Sequence, residues 1–170
     1  GPHEYRQVHF AFRQLARSLA ADGYHVLRFD YSGTGDSAGP SSSGDLETWV
    51  SDIVTAAGEL RDRAGTRRVS LVGMRLGASL ALLATGSLPV GQLVLWDPVV
   101  SGADYLAKLE ALQRQTLLAV HYPVSDVPAP GELLGHVVTP IMRRALIGLD
   151  LRAAPPPKAV DPNEAAGEPT

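Results

Sequence analysis

The sequence predicts an α/β fold, a mostly parallel sheet with flanking helices, followed by a helical cap segment. Helical and strand patterns alternate from residue 4 to residue 98, an order that is typical of parallel strands joined by right-handed crossovers. Beyond Pro98 this alternation stops, and helical and proline-interrupted stretches follow. We therefore predict a core at 1–102, a helical cap or lid at 103–152 and a disordered tail at 153–170.

The N-terminal third of the chain combines a helical pattern with a strand pattern. Between Glu4 and Ala21 apolar residues recur at three- and four-residue steps, which predicts an amphipathic helix that ends at Gly23. The apolar face of this helix comprises Val8, Phe12, Leu15 and Leu19. Residues 24–29 are rich in apolar and aromatic side chains and are predicted to form a buried strand, followed by a glycine- and serine-rich loop.

The rest of the chain supplies further candidate elements. A second helix is predicted to start at an N-cap formed by Ser43 or Asp45 and to end at Gly65. Its apolar face comprises Trp49, Ile53, Ala57 and Leu60. The remaining predictions are strands at 69–72 and 92–96, helices at 78–84, 105–120 and 141–149, and a connector at 123–131.

Composition excludes several classes of function. The net charge is −3 and the basic residues are scattered, so we expect no nucleic-acid partner. The chain has no cysteine, which excludes thiolate catalysis and disulfides and is compatible with a reducing compartment. Neither a membrane span nor a signal peptide is visible, so we expect a cytoplasmic protein.

One pentapeptide, Gly73-Met74-Arg75-Leu76-Gly77, lies between a predicted strand and a predicted helix. Strand, G-x-S-x-G and helix is the order of a nucleophile elbow, the tight turn that presents a catalytic serine. Here arginine occupies the serine position. A guanidinium stays protonated and has no acceptor lone pair, so it neither attacks a carbonyl carbon nor acts as a general base. The sequence predicts the turn without its nucleophile.

Four stretches of the chain, 4–21, 26–37, 72–78 and 93–102, resemble the α/β-hydrolase superfamily. More narrowly, they resemble the serine-aminopeptidase-like hydrolases and the hydrolases associated with bacterial exosortase systems. A branch of these proteins carries G-x-R-L-G in place of G-x-S-x-G, and the chain resembles that branch. The resemblance implies hydrolase ancestry and a partial α/β-hydrolase fold over residues 1 to 150.

The sequence also departs from the order of residues that this resemblance implies. In the family an acid and then a histidine follow the serine, but no late strands follow here to carry them. The family also has a strand between those predicted at 25–29 and 69–72, and its absence would leave polar strand edges open. The sequence therefore predicts either a segment of a larger fold or a chain that depends on a partner.

Arg75 is the main candidate for binding. A cation at the start of a helix faces the positive end of the helix dipole and needs an anionic partner. That partner is either a carboxylate or phosphate ligand, or Asp97 or Asp36 of the chain itself. The predicted pocket for an anion comprises Arg75, Met74, Leu76, His3 and Asp36. Asp97 is also the candidate catalytic acid, since some α/β-hydrolases place their acid at the end of this strand.

Other candidates for chemistry are weaker. The remaining histidines have no metal-ligand spacing, so no metal site is predicted; they are His9, His25, His121 and His136. Residues 33–38 match a loose G-x-G-x-x-A fingerprint, but the next helix starts too late to hold a dinucleotide, and no cofactor is predicted. Ser37 and Ser79 have no base beside them in the sequence.

Three functions remain open at this stage. The first is a pseudo-hydrolase that binds an anionic small molecule or a protein partner without turnover. The second is a hydrolase of ester, thioester or amide bonds in which a histidine activates water and Arg75 stabilises the oxyanion. The third is a segment that completes a larger fold. The sequence leaves the oligomeric state open.

Overall fold

The computed structural model describes residues 2–40, 42, 44–119 and 131–154, with side chains from His9 onward. The helices of these residues are α1 (Pro2–Ala21), α2 (Leu46–Ala64), α3 (Leu76–Ala84), α4 (Gly102–Ala119) and α5 (Pro140–Gly148). Their strands are β1 (Val69–Met74), β2 (Val90–Trp96), β3 (Glu132–Leu133) and β4 (His136–Val137). The five predicted helices are confirmed to within a few residues at each end.

The candidate site lies on a parallel pair of strands. β1 and β2 run side by side, with Val72 opposite Val94 and Met74 opposite Trp96. α3 connects them and packs against both strands, so the chain forms the β–α–β unit that the alternating pattern predicts. The short antiparallel pair β3–β4, which the sequence did not indicate, lies beyond α4. The structure confirms a partial α/β fold.

The prediction of a buried strand at 24–29 is wrong both in its secondary structure and in its burial. No strand is assigned there, and every residue from 21 to 30 is exposed. The composition suits a pleated, half-buried surface, but a strand also needs a hydrogen-bonded neighbour. Within the described residues β1 pairs with β2 alone, so the segment lacks that neighbour.

Helix ends follow the predicted chemistry. The Asp45 carboxylate accepts a hydrogen bond from the Thr48 backbone N–H at 2.8 Å, so Asp45 is the N-cap of α2, while Ser43 lies outside the described residues. Gly65 closes the same helix with φ 65°, and Gly23 follows α1 with φ 91°. Both glycines adopt the left-handed conformation that a side chain disfavours.

The hydrophobic core joins the first part of the chain to the last. Ile53 of α2 and Leu80 of α3 belong to the same buried cluster as Leu106 of α4 and Leu146 of α5. Helices α4 and α5 therefore share one core with the first part of the chain, where α5 packs against α2. The role of the segment 103–152 as a cap or lid stays a prediction. The predicted disordered tail lies almost wholly outside the described residues, as does most of the predicted connector.

Candidate functional site at the β1–α3 turn

A tight strand-to-helix turn places Arg75 at the carboxyl end of β1. Its backbone has φ 55° and ψ −126°, a conformation that costs a side-chain-bearing residue about 1–3 kcal/mol. The Arg75 N–H donates to the Trp96 carbonyl at 2.9 Å, and its carbonyl accepts from the Ala78 N–H at 3.1 Å. Backbone hydrogen bonds on both sides therefore hold the strained turn in place.

The guanidinium of Arg75 forms an ion pair with Asp97. Its Nη1 lies 2.5 Å from the Asp97 Oδ2, and the two side chains are 51% and 65% exposed. Asp97 follows β2 and also has a positive φ, 48°. Two strained residues at the ends of adjacent strands thus pair with each other. Because the pair is exposed, we expect it to contribute no more than about 1 kcal/mol to stability.

Tyr105 of α4 completes the immediate surroundings of Arg75. The guanidinium carbon lies 5.9 Å from the centre of the tyrosine ring, at the outer limit of a cation–π contact. Burial raises the pKa of the Tyr105 hydroxyl, and the positive charge of Arg75 acts in the opposite direction. Sequence reasoning missed this tyrosine, because its place beside the turn depends on the direction that α4 takes after β2.

The structure brings together only part of the predicted anion pocket. Met74 and Leu76 flank Arg75, and Leu76 packs against the hydrophobic core. Asp36, predicted at the same sheet edge, instead donates its backbone N–H to the Asp30 carboxylate and forms no ion pair with Arg75. The side chain of His3 lies outside the described residues. Of the two internal partners considered for Arg75, the structure shows Asp97.

The serine hydroxyls near the turn are committed to internal hydrogen bonds. The Ser79 side chain is completely buried and donates to the Val99 carbonyl at 2.8 Å. Ser37 donates to the Asp30 carbonyl at 2.5 Å, and Ser32 donates to the Asp52 carboxylate at 3.0 Å. No serine or threonine hydroxyl in the described part of the chain contacts an imidazole. An activated serine is therefore absent from those residues.

Among the histidines whose side chains are described, none is bonded to Arg75 or Asp97. His9 of α1 shares a hydrogen bond with Arg28, and His136 lies exposed in β4. His25 lines a cleft of about 550 Å³ between the 25–32 segment and α2. Neither Arg75 nor Asp97 lines this cleft, and His121 is outside the described residues. Among the residues with described side chains, no acid–histidine pair faces the turn.

Replacing Arg75 separates backbone strain from the ion pair. Arg75→Gly and Arg75→Ala both remove the contact with Asp97, but only glycine relieves the positive φ. We expect the glycine variant to be more stable than the alanine variant by about 1 kcal/mol or more. Urea denaturation of both variants measures this difference, and equal midpoints would contradict the assigned strain.

The glycine loop contacts the turn through Tyr31. Its ring stacks on Trp49 with centroids 5.2 Å apart, and its hydroxyl lies beside Gly77. Burial, assisted by the negative charge of Asp52, raises the pKa of Tyr31 to about 12. Sequence reasoning missed this residue, although an aromatic side chain directly before a glycine loop was an available signal.

The raised pKa of Tyr31 predicts a specific sensitivity to alkali. Its folded pKa of about 12 exceeds the ordinary value of 10, so stability is full below pH 10 and falls as the pH rises towards 12. A shift of this size corresponds to about 2–3 kcal/mol. Tyr31→Phe should remove this part of the decline, whereas Tyr24→Phe, at an exposed tyrosine, should not. Urea denaturation at several alkaline pH values tests the difference.

Sequence comparisons place the chain among known proteins. Residues 4–143 match the family model described as serine aminopeptidase, S33. The chain is 35% identical over 91 residues to a lysophosphatidylserine lipase ABHD12 of Xenopus tropicalis, covering 50% of this chain and 22% of that protein. It is 29% identical over 132 residues to an acyl transferase of Aliivibrio fischeri strain MJ11, covering 77% and 40%.

These matches leave much of each relative uncovered. The chain spans less than half the length of the curated relatives named above. No solved structure matches the chain. None of the described helices combines the length and the apolar character needed to cross a membrane.

Proposed function

Because the chain belongs to the serine aminopeptidase S33 family of the α/β-hydrolase superfamily, we propose that it is a non-catalytic member of that family. The observation that carries this proposal is the ion pair between Arg75 and Asp97 at the strand-to-helix turn. The pair occupies the position of the nucleophile and engages the candidate acid. Neither residue is then available for acyl transfer.

The hydrogen bonds around the turn support the same proposal. Ser79, the nearest serine in the following helix, is buried and bonded to a backbone carbonyl, so it cannot replace the missing nucleophile. The relatives are named as a lipase and an acyl transferase, and both names refer to reactions at acyl groups. We propose that this chain does not catalyse such a reaction. In this proposal the chain keeps the strand-to-helix turn and binds a ligand or partner there without turnover.

A protein partner fits the turn better than a small anion. Asp97 already neutralises Arg75, and an incoming carboxylate or phosphate would have to displace it. Both charged side chains are half or more exposed, so a partner surface can contact them as a pair without separating them. We therefore propose that the turn binds a protein partner. Binding of a small anion at Arg75 is the less favoured alternative.

Labelling and turnover test the proposal directly. We expect no labelling of the wild-type chain by a fluorophosphonate probe and no hydrolysis of p-nitrophenyl acetate above the buffer rate. Arg75→Ser should also fail to restore hydrolysis, because no imidazole contacts the turn in the described part of the chain. Arg75→Ala is the matched control, since it removes the same ion pair without adding a hydroxyl.

Two outcomes would overturn this proposal in different ways. Labelling of the wild-type chain would reveal an activated serine elsewhere on the polypeptide. Hydrolysis without labelling, abolished in Arg75→Ala, would support the water-activating mechanism with Arg75 as the oxyanion stabiliser.

A further inference from the structure

We draw no further inference here: the strongest candidate, the cleft of about 550 Å³ between residues 25–32 and α2, has the exposed 24–29 segment as one wall, and nothing in the described part of the chain shows what covers it.

Discussion

Replacing Gly73 with alanine is expected to destabilise the protein by about 3 kcal/mol or more. A Cβ atom at this position would lie 2.6 Å from the Ala78 Cα and 2.6 Å from the Gly77 carbonyl oxygen. Both are backbone atoms, so α3 would have to move away from β1 to relieve the clash. For a chain of this length the loss corresponds to a fall in melting temperature of about 6–12 °C.

Gly77→Ala is the matched control in the same pentapeptide. Its added Cβ would meet the Tyr31 hydroxyl at 3.6 Å, an ordinary van der Waals distance, and the residue has no positive φ. Because alanine is the better helix former, we expect this variant to be unchanged or stabilised by up to about 1 kcal/mol. Calorimetry measures the melting temperatures of both variants. Equal values would refute the close approach of Gly73 to the backbone of α3.

Gly102→Ala is expected to have an effect of similar size at the start of α4. The added Cβ would overlap the Leu146 carbonyl oxygen of α5 and also approach the side chain of Leu149. Gly102 additionally donates its N–H to the Leu149 carbonyl at 2.8 Å, so the two helices cannot separate without losing that hydrogen bond. We expect a loss of about 3 kcal/mol or more, measured by urea denaturation.

The control for this variant is Gly58→Ala in α2. No atom lies within 4 Å of the added Cβ, so only the helix propensity changes. A gain of about 1 kcal/mol is expected. If Gly102→Ala were also neutral or stabilising, the close crossing of α4 and α5 would be wrong.

Local sequence patterns predicted the elements that depend on local interactions. The cap of α2 required only a carboxylate three residues before the Thr48 N–H, and the end of the helix required only a glycine that tolerates positive φ. The turn at Arg75 followed from a glycine on each side of a strand-to-helix junction. These features rest on interactions within about five residues, and the sequence displays them directly.

Elements that depend on a distant partner were less predictable. Residues 24–29 have the composition of a buried strand, but burial requires a neighbouring strand that the described residues do not provide. Either Asp97 or Asp36 could have paired with Arg75, depending on the position of the glycine loop. The stacking of Tyr31 on Trp49 helps to hold that loop in place. The approach of Tyr105 to Arg75 depends on the direction of α4 after β2, which local patterns do not determine.

The backbone at residue 75 keeps an unfavourable conformation although the side chain there has no nucleophilic group. The close approach of Gly73 to α3 and the backbone hydrogen bonds of Arg75 maintain the bend, and neither requires a serine at this position. A sequence search that requires G-x-S-x-G passes over a chain with arginine at the centre of this bend. A search for the glycine pair and the bend, with any residue between, would recover it.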